Sequence, residues 1–213
     1  MKPSLWRAGL AALAACFLPM VAAAQADNCA SDLLNAAFLS DTSPDTAKLN
    51  CDLDRAAKIR DRARLFYGPR SDAIIEITDT ASPSGAAYLY DVMTDGAGVR
   101  LDARSVPDGK GPHCRLQTKL PDDTANAMTI LLGQVSDASV PSYGPREEVT
   151  VNADGSRTVR LVIESHDIIT RTQTENGVRQ FSRHAGSDDP VTRLNNLVIG
   201  VANVSPNWVC KAP

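Results

Sequence analysis

The chain has 213 residues, 43% of them hydrophobic and 22% charged, with 22 basic against 25 acidic side chains. That balance is ordinary for a folded globular protein and excludes a disordered polyelectrolyte. A formal charge of −3 also argues against whole-surface attraction to nucleic acid or anionic lipid.

In chain order, the first predicted element is a secretory signal peptide over residues 1–24. Lys2 and Arg7 give a positive start, Ala8 to Val21 is an apolar run, and Ala22-Ala23-Ala24 and Ala24-Gln25-Ala26 place small residues at cleavage positions. The expected destination is secreted or periplasmic. Cleavage would leave about 187 to 189 residues and move the formal charge to −5, through loss of Lys2 and Arg7. Leu13-Ala14-Ala15-Cys16 also fits a lipobox, which would put a lipid anchor at Cys16; the downstream alanine sites fit ordinary secretion better. No later run reaches the roughly 18 apolar residues that a membrane-spanning helix needs.

Cys29, Cys51, Cys114 and Cys210 remain after the signal. An even number in an exported chain reads as two disulfides, with three possible connectivities. Sequence proximity favours Cys29–Cys51 with Cys114–Cys210. The first would tie the N-terminal segment to the following helix; the second would clamp the tail to the middle of the chain. The sequence holds no CxxC pair, which disfavours a thioredoxin-like or zinc-ribbon role.

Residues 25–213 are expected to form a single α+β domain, with a helical segment over 29–68 and strand-rich halves over 72–140 and 146–206. Ser43-Pro44-Asp45 is a strong helix start and Gly68-Pro69 a stop. Between them Leu49, Leu53, Ala56, Ile59, Ala63 and Phe66 run down one face. Arg55, Lys58 and Arg62 on this helix form either an anion-binding stripe or a solvated face; Asp54 and Asp61 beside Lys58 favour the latter.

After Pro69 the period changes to two. Strands are predicted at 73–78, 86–93, 99–104 and 113–120, with turns at Ser82-Pro83-Ser84-Gly85 and Asp95-Gly96. Pro121-Asp122-Asp123 opens a helix whose apolar face is Met128, Leu131, Leu132 and Val135. Around Asp154-Gly155, a three-residue loop, Ala153 to Gly155, pairs Val149 with Val159 and keeps the valines on one face. Asn176-Gly177 signals another hairpin; as a two-residue turn it would pair Ile169 with His184. Asp188-Asp189-Pro190 starts a last helix with Val191, Leu194, Val198 and Val201 inward. Helices do not alternate singly with strands, so the predicted architecture is a mainly antiparallel sheet with helices packed on one face. The halves echo each other (Asp122-Asp123 to Pro141 against Asp188-Asp189 to Pro206). A duplicated β-meander-plus-helix unit explains this, and ordinary helix-start chemistry explains it nearly as well.

Chemistry is sparse. Of His113, His166 and His184, His166 is the most suggestive, in Glu164-Ser165-His166-Asp167. His166, Asp167 and His184 are the catalytic candidates, as a general base with acids or a metal-assisted hydrolase. Strand neighbours face opposite ways, however, so His166 and Asp167 would diverge; a polar residue on an exposed strand is the plainer reading. His113-Cys114 reads as half of a disulfide rather than a thiol nucleophile. No GxSxG, HExxH, phosphate loop or EF-hand occurs, and no cofactor motif either. Tyr88 and Tyr90 share one face of a strand, with Leu89 on the other, either as a binding platform or as cross-strand packing. Trp208 is placed over the Cys210 region. The favoured expectation is a non-catalytic binding or envelope-associated module whose partner is a protein, glycan or small ligand. The alternative is an exported hydrolase, which needs His166, His184 and an acid to converge in one cleft.

Overall fold

The computed structural model describes residues 44–68, 72–80, 86–109, 111–144, 147–161, 166–184 and 188–211. Residues 1–24, expected from the sequence to be a signal peptide, and Cys16 and Cys29 therefore lie outside the described residues. Among the described residues three helices and nine strands follow in the order α1 (Pro44–Tyr67), β1 (Ile75–Thr80), β2 (Ala87–Asp95), β3 (Gly98–Val106), β4 (His113–Lys119), α2 (Asp122–Val135), β5 (Glu147–Val151), β6 (Arg157–Leu161), β7 (Asp167–Thr174), β8 (Gly177–His184), α3 (Pro190–Val204) and β9 (Val209–Lys211). Seven strands form one antiparallel sheet in the order β8-β7-β1-β2-β3-β4-β9, and β5 and β6 pair separately. No described helix is long and apolar enough to cross a membrane.

The α+β class with a mainly antiparallel sheet stands as expected. The helices, however, divide between its faces. Odd-numbered residues of β1 and β3 (Ile75, Ile77, Leu101, Ala103) and even-numbered ones of β2 (Tyr90, Val92) join Met128 and Val135 of α2 and Val191, Leu194 and Val198 of α3 in the main core. The opposite parity faces α1, where Ala63, Ile59 and Tyr67 meet Ala87, Leu89 and Val106. Successive strand residues point to opposite sides, so covering both faces explains why so few sheet residues are exposed.

The α1 interface is mostly polar, and that is its distinctive feature. Glu76, Asp91 and Asp102 lie opposite one another on β1, β2 and β3, with Arg171 of β7 in the same row. All three acids are buried. Arg60 of α1 reaches into the row: its Nη1 donates to Asp91 Oδ1 (2.7 Å), its Nε to Thr78 Oγ1 (2.9 Å) and its Nη2 to the Ile77 carbonyl (2.9 Å). Arg104 donates to the other oxygen of Asp91. Arg115 grips Asp102 with two bonds of 3.0 and 2.7 Å, and Arg171 donates to Glu76 at 2.7 Å. Buried carboxylates are tolerated here because each has a guanidinium in contact. The inward side of α1 is accordingly rotated from the sequence expectation: Phe66 is 55% exposed, while Arg60 and Tyr67 point inward. Tyr67 Oη donates toward the carbonyls of Ser105 (2.7 Å) and Cys114 (3.1 Å).

The turns test the register readings. Val149 pairs with Val159, and Gly155 has φ +82°, as a three-residue loop requires. The β7–β8 hairpin differs from expectation. Thr174 pairs with Gly177, so Asp167, not Ile169, lies opposite His184. No described non-glycine residue has positive φ, whereas Gly177 has φ +105°. A type I′ turn centred on Asn176-Gly177 would need Asn176 left-handed; the chain instead uses only the glycine for that conformation. The two halves also differ in topology. The first gives β1 to β4 in sequential order, and the second gives β7–β8 plus the separate β5–β6 pair.

Arg183, fully buried, ties the end of the first half to the start of α3. It donates to Asp189, and its Nη2 to the Pro141 carbonyl (2.6 Å), with its guanidinium 5.7 Å from the Phe181 ring centroid. Asp189 also caps α3 by accepting from the Thr192 amide at 2.8 Å. This fixes α3 against the sheet, and with it one wall of the cavity described next.

Candidate functional site

A cavity of about 610 Å³ opens between the ends of β1 and β2, the C-terminal part of α3 and the segment leading into β9. Its position follows from strand alternation. Ile75, Ile77 and Asp79 share the α3 face of β1, so the acid at 79 is in phase with apolar positions and points into the cavity rather than toward α1. Tyr88 lies directly opposite Asp79, and Tyr90 opposite Ile77. Both tyrosines line the cavity, with Ile199 and Asn203 of α3, Trp208, His166 and both cysteines of the Cys114–Cys210 disulfide.

The aromatic groups are ordered. Tyr88 and Tyr90 stand with ring centroids 6.5 Å apart and planes 25° from parallel. Trp208 meets Tyr88 edge to face, at 6.4 Å and 79°. Trp208 Nε1 donates to the Ala202 carbonyl at 2.9 Å, which fixes the indole and uses its one donor. Tyr90 is buried and Tyr88 is 39% exposed, so Tyr88 is the ring a ligand can reach.

The polar group is a pair. His166 Nδ1 lies 2.8 Å from Asp79 Oδ1. With Asp79 ionised the carboxylate accepts from Nδ1, and a neutral ring then has Nε2 as its acceptor or base. The Asp79 side chain is 9% exposed and that of His166 50%. Burial pushes the Asp79 carboxyl above the usual range, and His166 offsets only part of that shift. Burial and the Asp79 charge push the Tyr90 phenol up as well, so it stays neutral at physiological pH.

The raised Asp79 pKa has a testable sign. The folded state holds this proton more tightly than the unfolded chain. Stability from this group is therefore full below the unfolded value of about 4. It falls as pH rises through the raised folded value, and stays reduced above it. Asp79→Asn is expected to melt above the parent protein at pH 7, with the difference closing toward pH 4. Melting curves of both proteins between pH 4 and 8 measure it. A lower melting point for Asp79→Asn at pH 7 would mean that the His166 pairing outweighs burial.

The other sequence candidates sit elsewhere. Asp167 and His184 oppose each other on β7 and β8, both buried, and face α1; Arg55 Nη1 donates to Asp167 at 3.4 Å. His166 precedes β7 and turns to the opposite face. His166, Asp167 and His184 thus do not form one constellation, and the acid beside His166 is Asp79, 87 residues away in sequence. His113 stacks on Phe66 at 4.0 Å on the α1 side. Among the described residues no group of three or more His, Cys, Asp or Glu side chains is placed to hold a metal ion. Cys114–Cys210 is formed as expected. Cys51 is also disulfide-bonded, and its expected partner, Cys29, lies outside the described residues. Of the α1 stripe, Lys58 pairs locally, 2.7 Å from Asp54, as the sequence suggests, whereas Arg55 reaches Asp167 of β7. A second hollow of about 750 Å³ lies on the α1 side, lined by Phe66, His113, Val209 and Lys211. Its walls are largely exposed side chains. The smaller cavity is the candidate site because ordered aromatic faces and a buried acid converge there.

No protein-family model matches the chain, and no curated protein or solved structure is significantly similar to it.

Proposed function

We propose that the chain is an exported binding protein and that the cavity beside Tyr88 is its ligand site. The observation that carries this is the convergence of Tyr88, Tyr90 and Trp208 with the Asp79–His166 pair on one hollow of about 610 Å³. That volume is in the range of small-molecule sites, and mostly apolar walls with a few polar groups are their usual makeup. The Cys114–Cys210 disulfide at the rim supports an oxidising compartment, in keeping with the signal-like residues 1–24.

The test is a fragment screen by ligand-observed NMR on the full chain. Hits are expected to be lost in Tyr88→Ala and in Trp208→Ala, and kept in Val209→Ser, which alters the other hollow. Hits that survive both aromatic changes, or a library with none, would count against the proposal.

A second reading rests on the Asp79–His166 geometry alone. A histidine whose Nδ1 is held by a buried carboxylate is oriented to take a proton at Nε2, as a general base activating water requires. Ser105, the one serine among the described residues lining the cavity, is committed to the Pro112 carbonyl (3.2 Å) and the Cys114 amide (2.8 Å), so it is not placed as a nucleophile. Hydrolysis of p-nitrophenyl acetate separates the readings. Equal rates for the parent and His166→Ala leave binding alone; a loss of roughly a hundredfold, typical of a removed general base, would make the protein a hydrolase.

A further inference from the structure

We infer that the ligand of this cavity is a small, free organic cation, a quaternary or protonated amine with a compact apolar body. The inference rests on the cavity being the ligand site, and names what it selects.

Charge placement is the first ground. Arg60 of α1 and Arg104, Arg115 and Arg171 of the sheet pair with Glu76, Asp91 and Asp102 on the α1 face, and Arg179 and Arg183 of β8, on the other face, are held by backbone carbonyls and Asp189 and do not line the cavity. Asp79 is also on that other face, and its hydrogen-bonding partner is the half-exposed ring of His166. Among the described residues that line the cavity there is no lysine or arginine, and Asp79 is the one carboxylate. Among the described lining residues, an anion entering would meet the Asp79 carboxylate with only His166 beside it. A neutral sugar would stack on the rings and add nothing to the His166 contact. A cation adds the charge partner that the lining supplies only through His166. The raised pKa of Asp79 agrees: burial disfavours its charged form and His166 offsets only part of that.

Ring geometry is the second ground. Tyr88 and Trp208 meet at 79° with centroids 6.4 Å apart. Aromatic faces carry negative potential, and rings set at a steep angle make a corner that an ammonium group can occupy. The Trp208 donor is already used on Ala202, so the indole offers its π system rather than a hydrogen bond. Tyr88 is the residue directly across from Asp79, so the aromatic corner and the carboxylate lie next to each other.

The test pairs choline with its neutral carbon isostere 3,3-dimethylbutan-1-ol, and with methyl β-glucoside. Binding is read by calorimetry and by Trp208 fluorescence referenced to Trp208→Phe. Choline is expected to bind roughly tenfold more tightly than the isostere, the scale of a desolvated cation–π and charge contact. Asp79→Asn, expected to remain folded, should erase that preference, and Tyr88→Ala should weaken choline by a similar factor. Equal binding of choline and the isostere, or binding of the glucoside alone, would overturn the cation and leave the cavity as the ligand site. Sedimentation with phosphatidylcholine vesicles without binding of free choline would overturn the free-ligand claim and assign the headgroup to a lipid. If none of the probes changes the Trp208 signal, and the fragment screen finds no hit sensitive to Tyr88→Ala, both the cation and the ligand site fall.

Discussion

Asp91→Ala is expected to destabilise the fold by about 3–5 kcal/mol, the cost of removing one member from a buried, hydrogen-bonded charge group. Asp91 is 1% exposed and takes bonds from two guanidinium groups, Arg60 and Arg104. Deleting the carboxylate leaves two cations facing each other in a space where Arg104 Nε already has no hydrogen-bond partner. It also loosens the middle of α1 on the sheet. That helix is held by a few small apolar contacts around Ala63 and Leu89, by the bonds of Asp52, Arg55 and Tyr67 to the sheet near its two ends, and at its middle by Arg60 reaching β1 and β2. Asp91→Asn retains one acceptor and should cost less. A triple change to apolar residues, Arg60→Met, Asp91→Leu and Arg104→Met, should cost less than Asp91→Ala alone, because it removes the charges together rather than orphaning some of them. Urea titrations of the three variants give the ranking. A loss below about 1 kcal/mol for Asp91→Ala, the size of an exposed pair, would show that water reaches the row and that α1 is held by other means.

This network also marks the limit of what the residues reveal in one dimension. Local signals carry well: Pro44 and Gly68 bound α1, Gly155 sets the Val149–Val159 register, and alternation puts Tyr88 and Tyr90 on one side with Leu89 on the other. Each depends on a few neighbouring residues and a fixed period. Glu76, Asp91 and Asp102 obey the same alternation, and a polar face of a strand ordinarily meets water. What buries them is a helix ending at Tyr67 whose inward side contains a charged residue, Arg60, between Ala56 and Ala63. Binary patterning reads such a residue as outward. The candidate site is split in the same way. Its tyrosines follow from alternation, whereas the partnership of His166 with Asp79 spans 87 residues and depends on β7 lying beside β1, which sequence adjacency does not imply. One signal was present: Asp79 stands in phase with Ile75 and Ile77, and an acid on the apolar parity of a strand is expensive unless it is used.

Breaking Cys114–Cys210 is expected to have the other large effect, and to act on the site as well as on the fold. The bond closes a loop with a sequence separation of 96, for which the chain-entropy model gives about 4–5 kcal/mol. Little else holds the tail. β9 is three residues long, all exposed, and pairs with β4 only at His113, Cys114 and Arg115. Trp208 lies two residues before Cys210, anchored by its bond to Ala202. With Cys114→Ser and Cys210→Ser together, fraying of β9 should let the segment that carries Trp208 swing away from Tyr88. The outer wall of the cavity would then open. The cavity side of β1 and β2 is set by the sheet and should remain. Three measurements separate the effects. Denaturant unfolding should show a loss approaching the entropic value, smaller if β9 is already detached in the folded variant. Hydrogen exchange should show protection lost first in residues 205–211 and little changed in β1 to β3. Ligand binding should be lost under conditions where the variant is still fully folded, because the aromatic corner needs Trp208 in place. A variant that keeps its stability, its tail protection and its binding would mean that the strand pairing of β9 suffices without the bond, and that the disulfide has no part in shaping the site.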